Sequence, residues 1–571
     1  MTLTDYLVLL TYLLGIFAVG VGLSAKVKNT GDLFSAGGQS PWWASGLSAF
    51  MTMFSAGTFV VWGGIAYRLG IVAVMINLCY GVAAVLVGYF VAGHWQRIGI
   101  RTPAEFIEKR YGVGPLHFYT WSMMIYRMVG VAVALYSLSV LLVALMPLAE
   151  GNPLRDPATG NLSITWAILV FGGIVVLYTM VGGLWAVLMT DVLQFIVLNL
   201  AVLFMIPLIV ADAGGISSLI DRAPPGFFNP VSGDYTWFFL AGWVAIHFFM
   251  VGAEWAFVQR FLCVPSARDA KKSAYLFGIL YLVSPMLWLL PPLAYRVINP
   301  DADPEQAYVL SCQHVLPIGM LGLMIAAMFS ATASMVSSQL NVFAGVLTED
   351  IYKRVRPQSD QRHLLRVGRG MSFVLGAILI ALAIAVPAMG GAEDVIVTIT
   401  SLMVGPLLAP TIWGLFSRRI SQTAVWCTAG VCFLAGAAVK FGWPDFFAAY
   451  GKYPDVVVGV VLPVAVLTVV QLLSKGTSPG WSRLHHTAKA GQVANNASSP
   501  VPTTFDPTPG FIVSGALMVC GLMMFALLFV NTQSLATIGY FASALILLSA
   551  GIGYAAHRKS RTNLSQISTP S

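Results

Sequence analysis

The chain has 571 residues, 58% of them hydrophobic and 9% charged, with a formal net charge of +8. A water-soluble domain carries about 25% charged residues, so composition excludes a soluble enzyme or a nucleic-acid-binding domain and places the protein among all-α, multi-span membrane proteins. The surplus of lysine and arginine then bears on orientation in the bilayer, not on an anionic polymer.

Apolar runs predict about fifteen spans, near 4–24, 43–67, 71–93, 117–148, 163–180, 184–211, 236–259, 272–297, 317–348, 367–389, 394–416, 421–440, 454–474, 510–530 and 534–556. The first lacks a basic flank and a small-residue cleavage site, so it is expected as a retained helix, not a signal peptide. Lysine and arginine gather in AKVKN, HWQRIGIRTPAEFIEKRYG, QRFLCVPSARDAKK, EDIYKRVRPQSDQRHLLRVGRG, SRR, SKGTSPGWSRLHHTAK and HRKSR, which fall on one side of the bilayer. That asymmetry predicts a plasma-membrane protein with its N-terminus outside and its C-terminus in the cytoplasm. The six cysteines (Cys79, Cys263, Cys312, Cys427, Cys432, Cys520) stand singly, with no metal spacing, and read as apolar fillers.

The second span carries SAFMTMFSAGTF, a run rich in Ser, Thr and Gly, and the seventh carries His247, Gly252 and Glu254. Two interrupted spans, five apart, point to a transporter built from inverted repeats, whose unwound carbonyls need a partner. TPAEFIEKRYG predicts a short helix at the cytoplasmic surface, and NPDADPEQAYVLSCQHVLP a re-entrant cap on the outer side. In the ninth span Ser330, Ser334, Ser337, Ser338 and Asn341 fall on one helical face, while Met328, Val336, Leu340 and Val342 suit lipid or helix packing. Two readings of the stripe stand side by side: a cation site, or hydroxyls that join one helix to the next. Four ionisable groups lie within spans, Arg127, Asp191, His247 and Glu254, and charges at that depth are functional candidates. Arg127 stands about ten residues into its span, roughly 15 Å by helical rise, and needs a carboxylate such as Glu254 or an anionic solute. His247 also reads as a packing histidine, and Glu254 as the partner of a basic residue near the cytoplasmic end.

FSAGGQSPWW, TPAEFIEKRYG, YTMVGGLWAVLMTDVLQ, the VQR ending at Arg260, and SSQLNVFAGVLTEDIYKR occur in this order. In this the chain resembles the solute:sodium symporters, which share the five-plus-five inverted-repeat fold of the leucine transporter. The resemblance implies one extra helix (1–42), a ten-helix core (43–416), two accessory helices (417–474), a cytoplasmic linker (475–509), two final helices (510–556) and a tail (557–571). It implies sodium as the co-transported ion, no organic cofactor, a small organic solute, and the lipid bilayer as surroundings; it sets no oligomeric state. The family's common sodium site maps onto carbonyls of Met51, Phe54 and Ala331 and the hydroxyl of Ser334. The next position is Met335, where many members carry a hydroxyl, and a thioether is a poor ligand for a hard cation. A second site, found in some members, maps onto Asp191, Ser334, Ser337 and Ser338. Substrate positions map onto Thr58, Trp62, Asn77, Tyr80, His247, Met250, Val251 and Tyr281. Sugar-carrying members have Gln, Glu and Asn at 58, 77 and 247, and proline-carrying members have Asp at 53, so neither label transfers. The expected activity is sodium-driven solute uptake by alternating access. The alternatives are proton coupling on the same fold and a solute sensor of transporter fold; no enzyme constellation is present.

Overall fold

The structure, a computed structural model, describes residues 1–24, 40–100, 102–443, 446–447, 449–484, 508–529 and 535–567. The predicted linker falls largely on 485–507, and AKVKN and most of FSAGGQSPWW on 25–39, all outside the described residues. Among the described residues the secondary structure is helical, with only isolated β-bridges in loops.

In chain order the helices are α1 (Leu3–Ser24), the bent pair α2 (Trp42–Met53) and α3 (Thr58–Leu69), α4 (Val72–Arg97), α5 (Pro103–Tyr111), α6 (Val113–Val143) and α7 (Ile164–Asp212). A second bent pair follows, α8 (Trp237–Ala253) and α9 (Trp255–Leu262), then α10 (Ala267–Ile298), α11 (Ala307–Val315), α12 (Met320–Val346), α13 (Gln361–Met389) and α14 (Ala392–Phe416). After α14 run α15 (Gln422–Lys440), α16 (Tyr453–Leu473), α17 (Gly510–Phe529) and α18 (Leu535–Arg558). Eleven of these are long and apolar enough to span, each bent pair adds a broken span, and Leu3–Ala18 and Ile164–Leu177 are shorter apolar helices. The turn expected between spans 163–180 and 184–211 falls within α7, whose helical course is continuous; the side chains of 180–189 are outside the described residues.

The two predicted interruptions are real bends, of 61° between α2 and α3 and 52° between α8 and α9. At the first, Phe54 is extended (φ −94°, ψ 128°) and Ser55 turns the chain, its Oγ accepting from the Gly57 N–H at 3.2 Å. At the second, Glu254 itself is the extended residue (φ −69°, ψ 137°). With the two apolar segments of α7 (Ile164–Leu177 and Thr190–Asp212) taken separately, each bent helix opens a set of five apolar segments, the inverted-repeat arrangement of a leucine-transporter-like fold.

Every residue of α12 is buried. The face carrying Met328, Val336, Leu340 and Val342 therefore packs on other helices, and none of it meets lipid. Asp5 of α1 caps this helix: its Oδ1 accepts from the N–H groups of Gly319 (2.7 Å) and Gly322 (3.1 Å), satisfying donors that a helix start leaves open. A Cβ on Gly322 would collide with the Asp5 backbone, which fixes how closely α1 approaches.

The predicted short helix is α5, capped by Thr102, whose Oγ1 accepts from the Glu105 N–H at 3.1 Å. It is more deeply set than a surface helix: Phe106, Ile107, Arg110 and Tyr111 are buried. Arg110 donates to the carbonyls of Gly414 (3.0 Å) and Ser417 (2.7 Å) and to Ser478 Oγ (2.7 Å), which ties α5 to the end of α14. The expected cap contains α11, which lies over α3 with Tyr308 and Phe59 rings 4.3 Å apart.

Candidate functional site

Two polar groups of residues meet α12, one on each side of the Ser334–Met335 step. In the first, Asp191 of α7 is fully buried. Its Oδ1 accepts from Ser334 Oγ, and its Oδ2 from Ser48 Oγ of α2 at 2.5 Å. Ser48 in turn accepts from Arg260 Nε at 3.3 Å, and Arg260 Nη2 donates to Ser338 Oγ at 2.7 Å. Four elements therefore converge: α2 before the first bend, α9 after the second, α7 and α12. A carboxylate ringed by hydroxyls is chemistry suited to a hard cation, and in this structure the buried guanidinium supplies the positive charge that faces it through Ser48. Ser337 is turned back on its own helix, donating to the Ser334 carbonyl at 3.0 Å. Ser330 Oγ and Asn341 Nδ2 are buried without a hydrogen bond, so the stripe is only partly used as glue between helices.

Near the carbonyl positions expected for the other cation site, the Phe54 N–H donates to the Met51 carbonyl at 3.2 Å. The Ala56 N–H donates to Thr332 Oγ1 of α12 at 2.8 Å, one residue beyond Ala331, so the unwound stretch is tied to the central helix. The Met335 side chain lines the cavity described next.

That cavity, about 80 Å³, lies between the two bends. Thr58, Trp62, Tyr80, His247 and Met250 line it, as the sequence positions suggested. Asn77, Val251 and Tyr281 do not reach its wall. Asn77 spends an amide N–H on the Ala73 carbonyl of its own helix (2.8 Å), Val251 is fully buried, and Tyr281 backs the wall by stacking on Tyr80 at 5.4 Å. Ser55, Gly57, Tyr126, Arg127, Trp243 and Thr400 also line it and were not among the predicted substrate positions. Trp243 stands one helical turn before His247, a spacing that would have signalled it.

Trp62 faces both Tyr80 and Trp243 edge-on at 6.4 Å, and Tyr80 lies 3.7 Å from the His247 ring. His247 Nδ1 sits 2.8 Å from the Trp243 carbonyl. A carbonyl only accepts, so Nδ1 carries the hydrogen and the neutral ring leaves Nε2 as an acceptor. Nε2 is buried without a protein partner. His247 is therefore half satisfied, with its open atom beside the cavity.

Arg127 and Glu254 form the expected pair, with Nη2 and Oε2 3.1 Å apart. The contact is one of charge: neither atom makes an aligned hydrogen bond. Glu254 lies at the bend, between the end of α8 and the start of α9, and not toward the cytoplasmic end where it was expected, so the pair ties α6 to the break between α8 and α9. At one end of the cavity, Arg68 of α3 and Glu393 of α14 are paired at 2.5 Å, one turn beyond Ile396 and Val397 of the wall. Among the loop carboxyls at that end, Glu305 is raised above the usual range, by burial first and by Asp303 and Glu393 next, against the lowering effect of Arg68.

Residues 33–429 match the sodium:solute symporter family. The chain belongs to this family. Over 444 residues it is 27% identical to a sodium/sialic acid symporter of Aliivibrio fischeri, covering 74% of this chain and 84% of that one. Over 463 residues it is 29% identical to a sodium/glucose cotransporter of Vibrio parahaemolyticus, covering 73% and 81%. A solved structure of a Na+-coupled sialic acid symporter, substrate-bound and outward-open, superposes with a TM-score of 0.71 at 26% identity, over 84% of this chain and 99% of that one. As a family member the chain is a sodium-coupled solute symporter that works by alternating access. This accounts for the bent helices, for the polar groups they bring against α12, and for a cavity at their crossing.

Proposed function

We propose that Asp191, Ser334, Ser337 and Ser338 hold the co-transported sodium ion, and that the solute occupies the cavity between the bends. The observation that carries this reading is the Asp191 carboxylate on Ser334 and Ser48, a buried anion at the junction of both broken helices. In the ion-loaded form Ser337 and Ser338 leave their present partners and turn toward the carboxylate. The carbonyls of Met51, Phe54 and Ala331 offer a second, poorer place, because Met335 contributes no oxygen.

Thr58, Trp62, Tyr80, His247 and Met250 contact the solute directly; Asn77, Val251 and Tyr281 shape the wall from behind. The solute then presents a hydrogen-bond donor to His247 Nε2 and an acceptor to Arg127, with an apolar face on Trp62 and Tyr80. Such a molecule is small, organic and polar. One sodium ion crossing 100 mV releases about 2.3 kcal/mol from voltage alone, enough to concentrate a neutral solute severalfold. The transport unit spans 43–416, with the other helices accessory to it, in a plasma membrane with the N-terminus outside.

The test uses purified chain and needs no known solute. Sodium added in place of choline changes the intrinsic fluorescence of wild-type protein, because Trp62 and Trp243 line the cavity next to the ion position. Asp191→Asn abolishes the change while leaving the helical content intact. A variant that responds to sodium like wild type removes the assignment. Met335 supports a second reading, coupling to protons on the same fold. Uptake that persists in choline and collapses with a protonophore would establish that version.

A further inference from the structure

The cytoplasmic cluster EDIYKRVRPQSDQRHLLRVGRG enters none of the transport chemistry, yet it carries six arginines and lysines between two spans. Two of them are committed: Lys353 pairs with Glu349 at 3.0 Å, and Arg354 with Glu108 of α5. Arg356, Arg362, Arg366 and Arg369 are exposed, and among the described residues none forms an ion pair. Arg362, Arg366 and Arg369 stand at i, i+4 and i+7, so they share one face of α13.

Phe373 (52%) continues that face, and Val374 (53%) and Ile378 (45%) lie further round the exposed side of the helix. The opposite face, with Leu364, Gly368, Ser372, Leu375 and Leu379, packs into the protein. The arginines therefore lie on the lipid-facing side of α13, and the change from guanidinium to hydrocarbon falls within one turn, between Arg369 and Phe373. A helix that crosses a bilayer places such a change at the boundary between headgroups and acyl chains. Arg356 and Arg366 also flank a shallow cleft with Ser359 and His363, at the foot of the same strip. The one acid there, Asp360, has its Oδ1 turned to the His363 N–H at 2.9 Å, where it caps α13.

We propose that this strip binds the headgroup of an anionic phospholipid from the surrounding leaflet. The planar guanidinium fork suits a phosphate diester whose charge no headgroup ammonium offsets, and the lipid's acyl chains would lie along Phe373, Val374 and Ile378. The occupant is a lipid and not a soluble anion, because the charges run directly into the hydrocarbon-facing surface. α13 packs on α12, so the bound lipid braces the outer side of the serine-bearing helix.

The test compares full-length wild type with Arg362→Gln/Arg366→Gln/Arg369→Gln in nanodiscs made from an equal mixture of phosphatidylcholine and phosphatidylglycerol. Lipids that stay bound after detergent extraction are counted by native mass spectrometry. Wild type retains phosphatidylglycerol in preference to phosphatidylcholine, and the triple variant loses that preference by about tenfold or more. Should the triple variant fail to fold, each single Arg→Gln change lowers the preference in steps. Equal retention by wild type and the variants overturns the proposal. So does displacement of the bound lipid by inorganic phosphate but not by chloride at equal ionic strength, which would mark a site for a soluble anion.

Discussion

Ser334 and Met335 are neighbours on α12, but one bonds to Asp191 and the other faces the cavity. On the proposed reading, Met335 places a polarizable thioether where an oxygen would complete a cation shell. Restoring the oxygen with Met335→Ser is expected to lower the sodium concentration for half-maximal fluorescence response by roughly fivefold, about the worth of one added ligand or hydrogen bond. An unchanged sodium curve would show that no ion visits that side of the helix. Asp191 and Ser334 were legible in the sequence because motif order fixed their register. Arg260 was not: it stands at the end of VQR beside a basic segment and reads as a cytoplasmic charge, whereas it is fully buried and bonded to Ser48 and Ser338. Single-chain charge patterns report which side of the bilayer a residue is near, not whether it turns inward. The same blindness hid the orientation of Asn77, which lies on the right helix but satisfies itself on Ala73.

Both broken helices were visible as sequence because their interruptions need small or polar residues. The bend at Ser55–Gly57 is marked by residues that bond to their own backbone. The one at Glu254 has a different origin, since the buried carboxylate at the break is held by Arg127 from another helix. The pairing itself could be anticipated, since lone charges at membrane depth need one another; what the sequence hid is that Glu254 is the residue at which the helix breaks. Asp5 is a comparable case. In the sequence it is an acid near the start of an apolar run, and in the fold it caps α12. Removing it with Asp5→Ala leaves two buried N–H groups without an acceptor and is expected to cost about 2 kcal/mol, read as a fall in the thermal midpoint of detergent-solubilised protein. Asp5→Asn keeps an oxygen there and should cost less. Equal losses would mean that charge, not the hydrogen bond, anchors α1.

Across the molecule, the Arg127–Glu254 pair links α6 to the bend of the second broken helix, so it joins the cavity wall to that bend. Arg127→Met alone strands a buried carboxylate and is expected to destabilise the fold by about 3–5 kcal/mol. Arg127→Met with Glu254→Met is expected to recover most of that stability without recovering uptake, because the solute has lost its donor. Thermal midpoints and solute flux measured together separate the two effects, and a double variant that transports normally would reduce the pair to a structural brace. The helices that follow α14 dock with equal intimacy. A Cβ on Gly405 of α14 would overlap the Gly459 backbone within α16, and Lys440 and Asp455 pair at 2.9 Å close by. Gly405→Val is expected to pry these helices apart and lower the thermal midpoint by several degrees.

Because α12 has no side turned to lipid, its surroundings have to be assembled around it. It enters the bilayer as an apolar segment carrying hydroxyls that hydrocarbon does not solvate, and it is sheathed only as later helices arrive. A ribosome that stops before α13 and α14 are made leaves that rod half clothed. Such truncated chains should be the ones that membrane proteases clear first.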